Sequence, residues 1–229
     1  MINAKWDEVG KALIRSTRVT DFEEAIKKPL KESITSLLAS DGLPLSESPN
    51  IILLLIFTHI DLLGYLYKGK NSSSNSVEFM REYIGRIDTR YKEVGGLLYN
   101  ALRHGYVHLA TPKRMQLKNG MILDFSFGSA IAGKRQGHLK VTKREEIERV
   151  GKLEICRLFV NLSQLYEDLL SAMDKYAEDI RHNQVLSDIF WKAFETRRNP
   201  EKAKEEKLLN KPYIQASDFA FVREQISNL

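Results

Sequence analysis

One stretch, Ile51–Tyr67 (IILLLIFTHIDLLGYLY), is apolar on every face of a helix. A helix hydrophobic all round has to be enclosed, by neighbouring elements or by lipid. Thr58, His59 and Asp61 interrupt the run, and it falls short of the ~20 apolar residues of a comfortable membrane span. The expectation is therefore a central core helix with the rest of the chain wrapped around it.

The flanking segments supply such a wrapping. Trp6, Val9 and Leu13 recur at helical spacing, and Thr20-Asp21-Phe22-Glu23 has the form of a capping box. A second helix is then expected along Phe22, Ile26, Leu30, Ile34, Leu37 and Leu38, kinked or interrupted at Pro29, which brings no amide donor. Asp41-Gly42 ends it, and Leu43–Asn50, with two prolines, reads as a loop. Gly69–Ser76 (GKNSSSNS) reads as a flexible loop, with Ser76 capping a helix through Val77, Met80, Tyr83 and Ile84. A further helix is expected over Thr89–His104, where Gly95-Gly96 signals close helix approach or a break. Four helices around one apolar centre make a bundle.

After Met115 the period changes. Met115–Lys118, Asn119-Gly120 and Met121–Phe127 read as a hairpin, since Asn-Gly suits a type I′ turn and Leu123, Phe125 and Phe127 alternate. His138–Thr142 and Leu153–Val160 read as further strands of a small sheet, the latter alternatively as the start of a helix. Gly128–Gly137 is glycine-rich but has neither phosphate-loop spacing. Helices are expected again over Leu162–Arg181 and Val185–Arg197, stopped by Asn199-Pro200. The fold class expected is mainly α, a helical bundle with a small β-hairpin or sheet insertion at about 115–160. One domain covers 1–198, and 199–229 is a charged linker (EKAKEEK) with a short amphipathic helix carrying Phe219, Phe221 and Val222.

Composition narrows the setting. A formal charge of +5 permits a nucleic-acid partner without requiring one. The lone Cys156, in the apolar phrase LEICRLFV, excludes an intramolecular disulfide and reads as a buried structural thiol. No signal peptide is read at the start, so a cytoplasmic protein without membrane attachment is expected.

The chemistry concentrates in Arg103-His104-Gly105-Tyr106-Val107-His108. Two of five histidines and a permanently cationic guanidinium share this short turn. Cleaving RNA without a metal needs a near-neutral proton carrier and a fixed cation beside the phosphate. In an unbroken helix Arg103 and His108 sit roughly 140° apart, so Gly105 at φ > 0 is expected to swing His108 back. Two other readings stand beside this one. Arg and His at a helix end offset the partial negative charge of its carbonyls, and His104 with His108 at i, i+4 is a metal-binding spacing lacking an evident third ligand. His59 and Asp61, two apart, point in different directions and are not a natural dyad; His59 reads as a satisfied core histidine.

Arg, a polar residue, then His after four intervening positions resembles the signature of the HEPN superfamily. The flanking phrases IILLLIFTHIDLLGYLYKGK, VEFMREYIGR and LLYNALRHGYVHLATPKRM resemble an uncharacterised branch of it, over about Ile51–Met115 and more loosely to Tyr176. The resemblance implies an α-helical bundle and a metal-independent endoribonuclease, a toxin or defence effector. It also implies a homodimer with two motifs in one cleft, and no cofactor. Arg103, His104 and His108 would be catalytic; Tyr106, Lys113 and Arg114 would contact RNA, Tyr106 by stacking on a base. An antitoxin or defence-system protein is the protein partner it implies. The competing expectation is a non-catalytic bundle that binds or scaffolds RNA, a nucleotide or a protein. The β segment departs from a minimal helical member.

Overall fold

A computed structural model describes residues 2–39, 49–105, 111–116, 121–128, 137–148 and 151–199. The chain is mainly helical, with one small mixed sheet. The chain begins with a single unbroken helical run rather than two helices: α1 (Ile2–Phe22), a π-helical turn (Glu23–Lys27) and α2 (Lys28–Ala39). Thr20 does not cap a helix. It lies within α1, its hydroxyl donating to the Ser16 carbonyl. Pro29 does not break the helix either. The turn before it widens, with the Lys28 amide donating to the Glu23 carbonyl five residues back, which accommodates a residue unable to join the regular ladder. Phe22, Ile26, Leu30 and Ile34 form the buried stripe, whereas Val9 and Leu13 are exposed.

The apolar run is α3 (Pro49–Lys68), with proline at its first position, where the missing donor costs nothing. Gly69, at φ 70°, closes the helix, and its amide donates to the Tyr65 carbonyl. Ile52, Leu53, Ile56, Phe57, Ile60, Leu63 and Leu66 are buried at the centre of the core. Enclosure is incomplete, because Ile51 and Leu54 are each 45% exposed. By length and apolarity α3 also meets the requirement of a membrane span, and 44% of its most apolar window is buried inside the molecule.

α4 (Ser73–Phe79) begins inside the stretch expected to be a loop, and Ser72, not Ser76, caps it by accepting from the Ser74 amide. The helix continues through a π turn (Met80–Ile84) into α5 (Gly85–Ile87). α6 (Arg90–Leu98) follows, then a third π turn (Tyr99–Arg103). Gly95 and Gly96 mark close approach rather than a break: a Cβ on either would sit 3.4 Å from Met80 or Arg81.

The sheet has strand order β1-β2-β4-β3. β1 (Met115–Gln116) and β2 (Ile122–Gly128) form the expected antiparallel hairpin, pairing Met115 with Leu123; the Asn119-Gly120 turn lies outside the described residues. β3 (Lys140–Glu148) and β4 (Gly151–Asn161) form a second hairpin, and β4 runs parallel to β2, Ile122 opposite Ile155. Leu123, Phe125, Cys156, Leu158 and Val160 join the same hydrophobic core as the helices.

β4 passes straight into α7 (Leu162–His182). Asn161, the last strand residue, caps it by accepting from the Gln164 amide. Asn183 ends α7 and caps α8 (Gln184–Arg198). α8 is tied to α1 through Arg15, which donates to Gln184 and the Arg181 carbonyl, and Arg18, which donates to Ser187 and Asp188. The expected linker and tail helix, 200–229, lie outside the described residues.

Candidate active site

Three helical segments converge on one carboxylate. Asp61, on the part of α3 that faces α4 and the third π turn, accepts through Oδ1 from the Ser76 hydroxyl at 2.9 Å and the Tyr99 hydroxyl at 2.5 Å. Its Oδ2 accepts from Arg103 Nε at 3.0 Å. Tyr99 and Arg103 are the first and last residues of the π turn, so the widened turn presents both to Asp61. Ser76 arrives by a different device. A Cβ at Gly64 would lie 2.5 Å from the Ser76 amide nitrogen, so only glycine lets α4 cross α3 this closely. Nothing in the local sequence marks Asp61, because Ser76 lies on α4 and Tyr99 and Arg103 on the third π turn.

The network orients Arg103 without consuming it. Only Nε is used, and the two Nη groups carry no hydrogen bond among the described residues. They are the fork that grips a phosphate in bidentate fashion. Burial, then the bond to Asp61, pushes the Tyr99 phenol up to about 12, so it stays a donor at neutral pH and cannot act as the base. The Arg103 and Asp61 side chains are 29% and 26% exposed, between a surface pair and a buried one. Because Ser76 and Tyr99 would still satisfy Asp61, losing Arg103 should cost about 1 kcal/mol of stability rather than the several kcal/mol of an orphaned buried charge.

Beside the pair lies a cavity of about 140 Å³, lined by Leu53, Leu54, Phe57, Thr58, Asp61, Leu102 and Arg103. His104 is half-buried, its ring edge-on to Tyr99 at 5.7 Å. Gly105 is buried and helical, and is not among the glycines at positive φ; among the described residues these are Gly69 and Gly137. The expected left-handed turn is therefore absent at Gly105. Its role is steric: a Cβ would lie 2.5 Å from the Thr111 carbonyl oxygen and 2.6 Å from the Lys113 nitrogen. The Lys113 amide donates to the Ala101 carbonyl, which returns the chain to the helix end that carries Arg103.

The expected site residues thus divide. Arg103, His104 and Lys113 come together at one helix end, and the Lys113 side chain is exposed. Arg114 turns to the sheet, 3.7 Å from Asp124, which also pairs with Arg157. Tyr106 and His108 lie outside the described residues. His59 Nδ1 donates to the Leu55 carbonyl, and burial, chiefly, lowers its pKa. Among the described residues no three His, Cys, Asp or Glu side chains are grouped to hold a metal ion.

A second polar cluster, unforeseen in the sequence, lies wholly in the core. His138 Nδ1 accepts the Asn161 amide at 3.1 Å, which assigns the ring proton to Nε2. Nε2 donates to the Tyr91 hydroxyl at 2.7 Å, and Tyr91 donates to Asp168 at 3.1 Å. The backbone around His138 is held in unusual geometry, with Gly137 at φ 92° and Leu139 at φ 53°. This chain of bonds joins α6, the start of β3 and α7, and it is closed to solvent. Neither a family model nor a curated protein nor a solved structure matches this chain.

Proposed function

We propose that this protein is a metal-independent endoribonuclease of the HEPN type, a cytoplasmic toxin or defence effector that works as a homodimer. The observation that carries the reading is Arg103, fixed through Nε by Asp61 and edged by His104, with its Nη fork uncommitted beside a cavity. The motif assigns proton transfer to His108 and phosphate binding to Arg103. The RNA 2′-hydroxyl loses its proton and attacks phosphorus, the bond to the 5′ oxygen breaks, and that oxygen takes a proton. A cyclic phosphate and a 5′-hydroxyl result. Lys113 adds positive charge at the same helix end; Tyr106 is assigned to base stacking and Arg114 to RNA contact along the sheet side.

The test is cleavage of RNA by purified protein with EDTA present. His108→Ala is expected to slow it roughly 100-fold or more, by the usual scale of general acid–base catalysis. Arg103→Lys is expected to impair it with little loss of stability, since charge remains but the fork is lost. RNA left intact, or an alanine variant as fast as the parent, overturns the reading.

One observation favours a second reading, a non-catalytic binding or scaffold module. Asp61 largely neutralises Arg103, and their network joins three helical segments as a structural tie would. Under it Arg103→Lys lowers thermal stability or partner binding while no RNA is cleaved.

A further inference from the structure

Resting on the RNA-cleaving reading, we infer that the cavity beside Arg103 is a nucleobase slot that reads an amino-bearing base, taking cytosine over uracil. Its size comes first. About 140 Å³ is well below the ~300–1,000 Å³ of pockets for drug-sized ligands, so a whole nucleotide does not fit, while one flat ring does. Its walls come second. Leu53, Phe57 and Leu102 are buried and form an apolar interior, and Leu54, 45% exposed, forms an open rim. An apolar slot open on one side suits an unstacked base, whose faces are apolar and whose edge is polar.

Two of the slot's polar groups, Asp61 and Thr58, are acceptors, and its donor, Arg103, is assigned to the adjoining phosphate. Asp61 is acceptor-only when ionised, and Oδ2, with one donor in place, retains a lone pair. The Thr58 hydroxyl spends its hydrogen on the Leu54 carbonyl at 2.7 Å, so toward a ligand its oxygen can only accept. Thr58 and Asp61 stand at i, i+3 on α3 and share a face. A pair of acceptors selects a base presenting an amino group and rejects one presenting a carbonyl oxygen in its place. Cytosine and uracil have the same ring size and differ in that respect: amino at C4 in one, carbonyl in the other. Arg103 then stands where the adjoining phosphate would lie, so base reading and phosphate gripping share one short stretch of backbone.

The experiment sequences the cut ends produced from a random single-stranded RNA pool and measures fluorescence anisotropy with oligo(C) and oligo(U). Cytosine is expected to be enriched over uracil at one position flanking the cut by roughly 3–10-fold, the scale of one net hydrogen bond. Thr58→Val keeps the shape and removes an acceptor on an exposed residue, so it folds and levels that preference. Leu54→Trp fills the rim and raises KM more than it lowers kcat. Cleavage with cytosine and uracil equally represented overturns the slot and leaves the ribonuclease reading standing. Tighter binding of oligo(C) without any cleavage overturns the ribonuclease reading and leaves the slot. Equal binding of both oligomers without cleavage overturns both.

Discussion

Asp61 gathers a hydroxyl, a phenol and a guanidinium from two segments, α4 and the third π turn, and that convergence depends on one missing methyl group. Gly64 lets the backbone of α4 approach so closely that a Cβ would overlap Asn75 and Ser76 at 2.5–2.8 Å. Backbone cannot swing aside as a flexible side chain can. Gly64→Ala is therefore expected to destabilise the protein by about 1–3 kcal/mol, the range for overpacking, and to pull Ser76 off Asp61. Urea denaturation reads the first effect, and unchanged midpoint and slope would refute it. Gly105 illustrates how far a sequence rule reaches. Glycine within the motif is expected to adopt a left-handed backbone, whereas in the structure it serves the close approach of residues 111–113. Sequence marks a glycine as needed; only packing says for what. Asp61 was unreadable for the same reason, since its three partners lie 15, 38 and 42 positions away.

Element boundaries were legible where their causes are local. Gly69 closing α3, Asn183 between α7 and α8, and alternation in β2 all act within a few residues. The π turns were not: Pro29 reads in sequence as a break, where the turn before it widens instead, and the third turn answers to a distant demand, the presentation of Tyr99 and Arg103 to Asp61. The ties between elements make a paired prediction. Tyr91 links His138 to Asp168 inside the core, so Tyr91→Phe removes two buried hydrogen bonds and should cost about 1–3 kcal/mol. Tyr176 is as deeply buried among Phe22, Tyr67, Phe79, Tyr83 and Phe190, yet its hydroxyl has no hydrogen-bond partner among the described residues. Tyr176→Phe should be neutral or stabilising by up to about 1 kcal/mol, because it removes a polar group and no bond. Thermal unfolding of both variants separates them, and equal losses would contradict the assignment.

At the scale of the whole molecule, one core serves bundle and sheet alike. The exposed Ile51, one turn before Leu54 on α3, is the apolar contact assigned to a two-fold partner in the proposed dimer. Sedimentation at micromolar concentration is expected to give twice the chain mass, and Ile51→Glu to shift the population to monomer. A parent protein monomeric at every concentration, with and without RNA, would remove the dimer from the proposal. The seamless passage from β4 into α7 has another consequence. Asn161 is paired with Gly128 in the sheet and caps the helix in the same position. Were β4 to slide by one residue, every side chain on it would change face, and the buried stripe of α7 would turn by about 100° away from the core. Strand and helix thus proofread each other: a misthreaded sheet cannot be kept, because the helix that follows would refuse to seat.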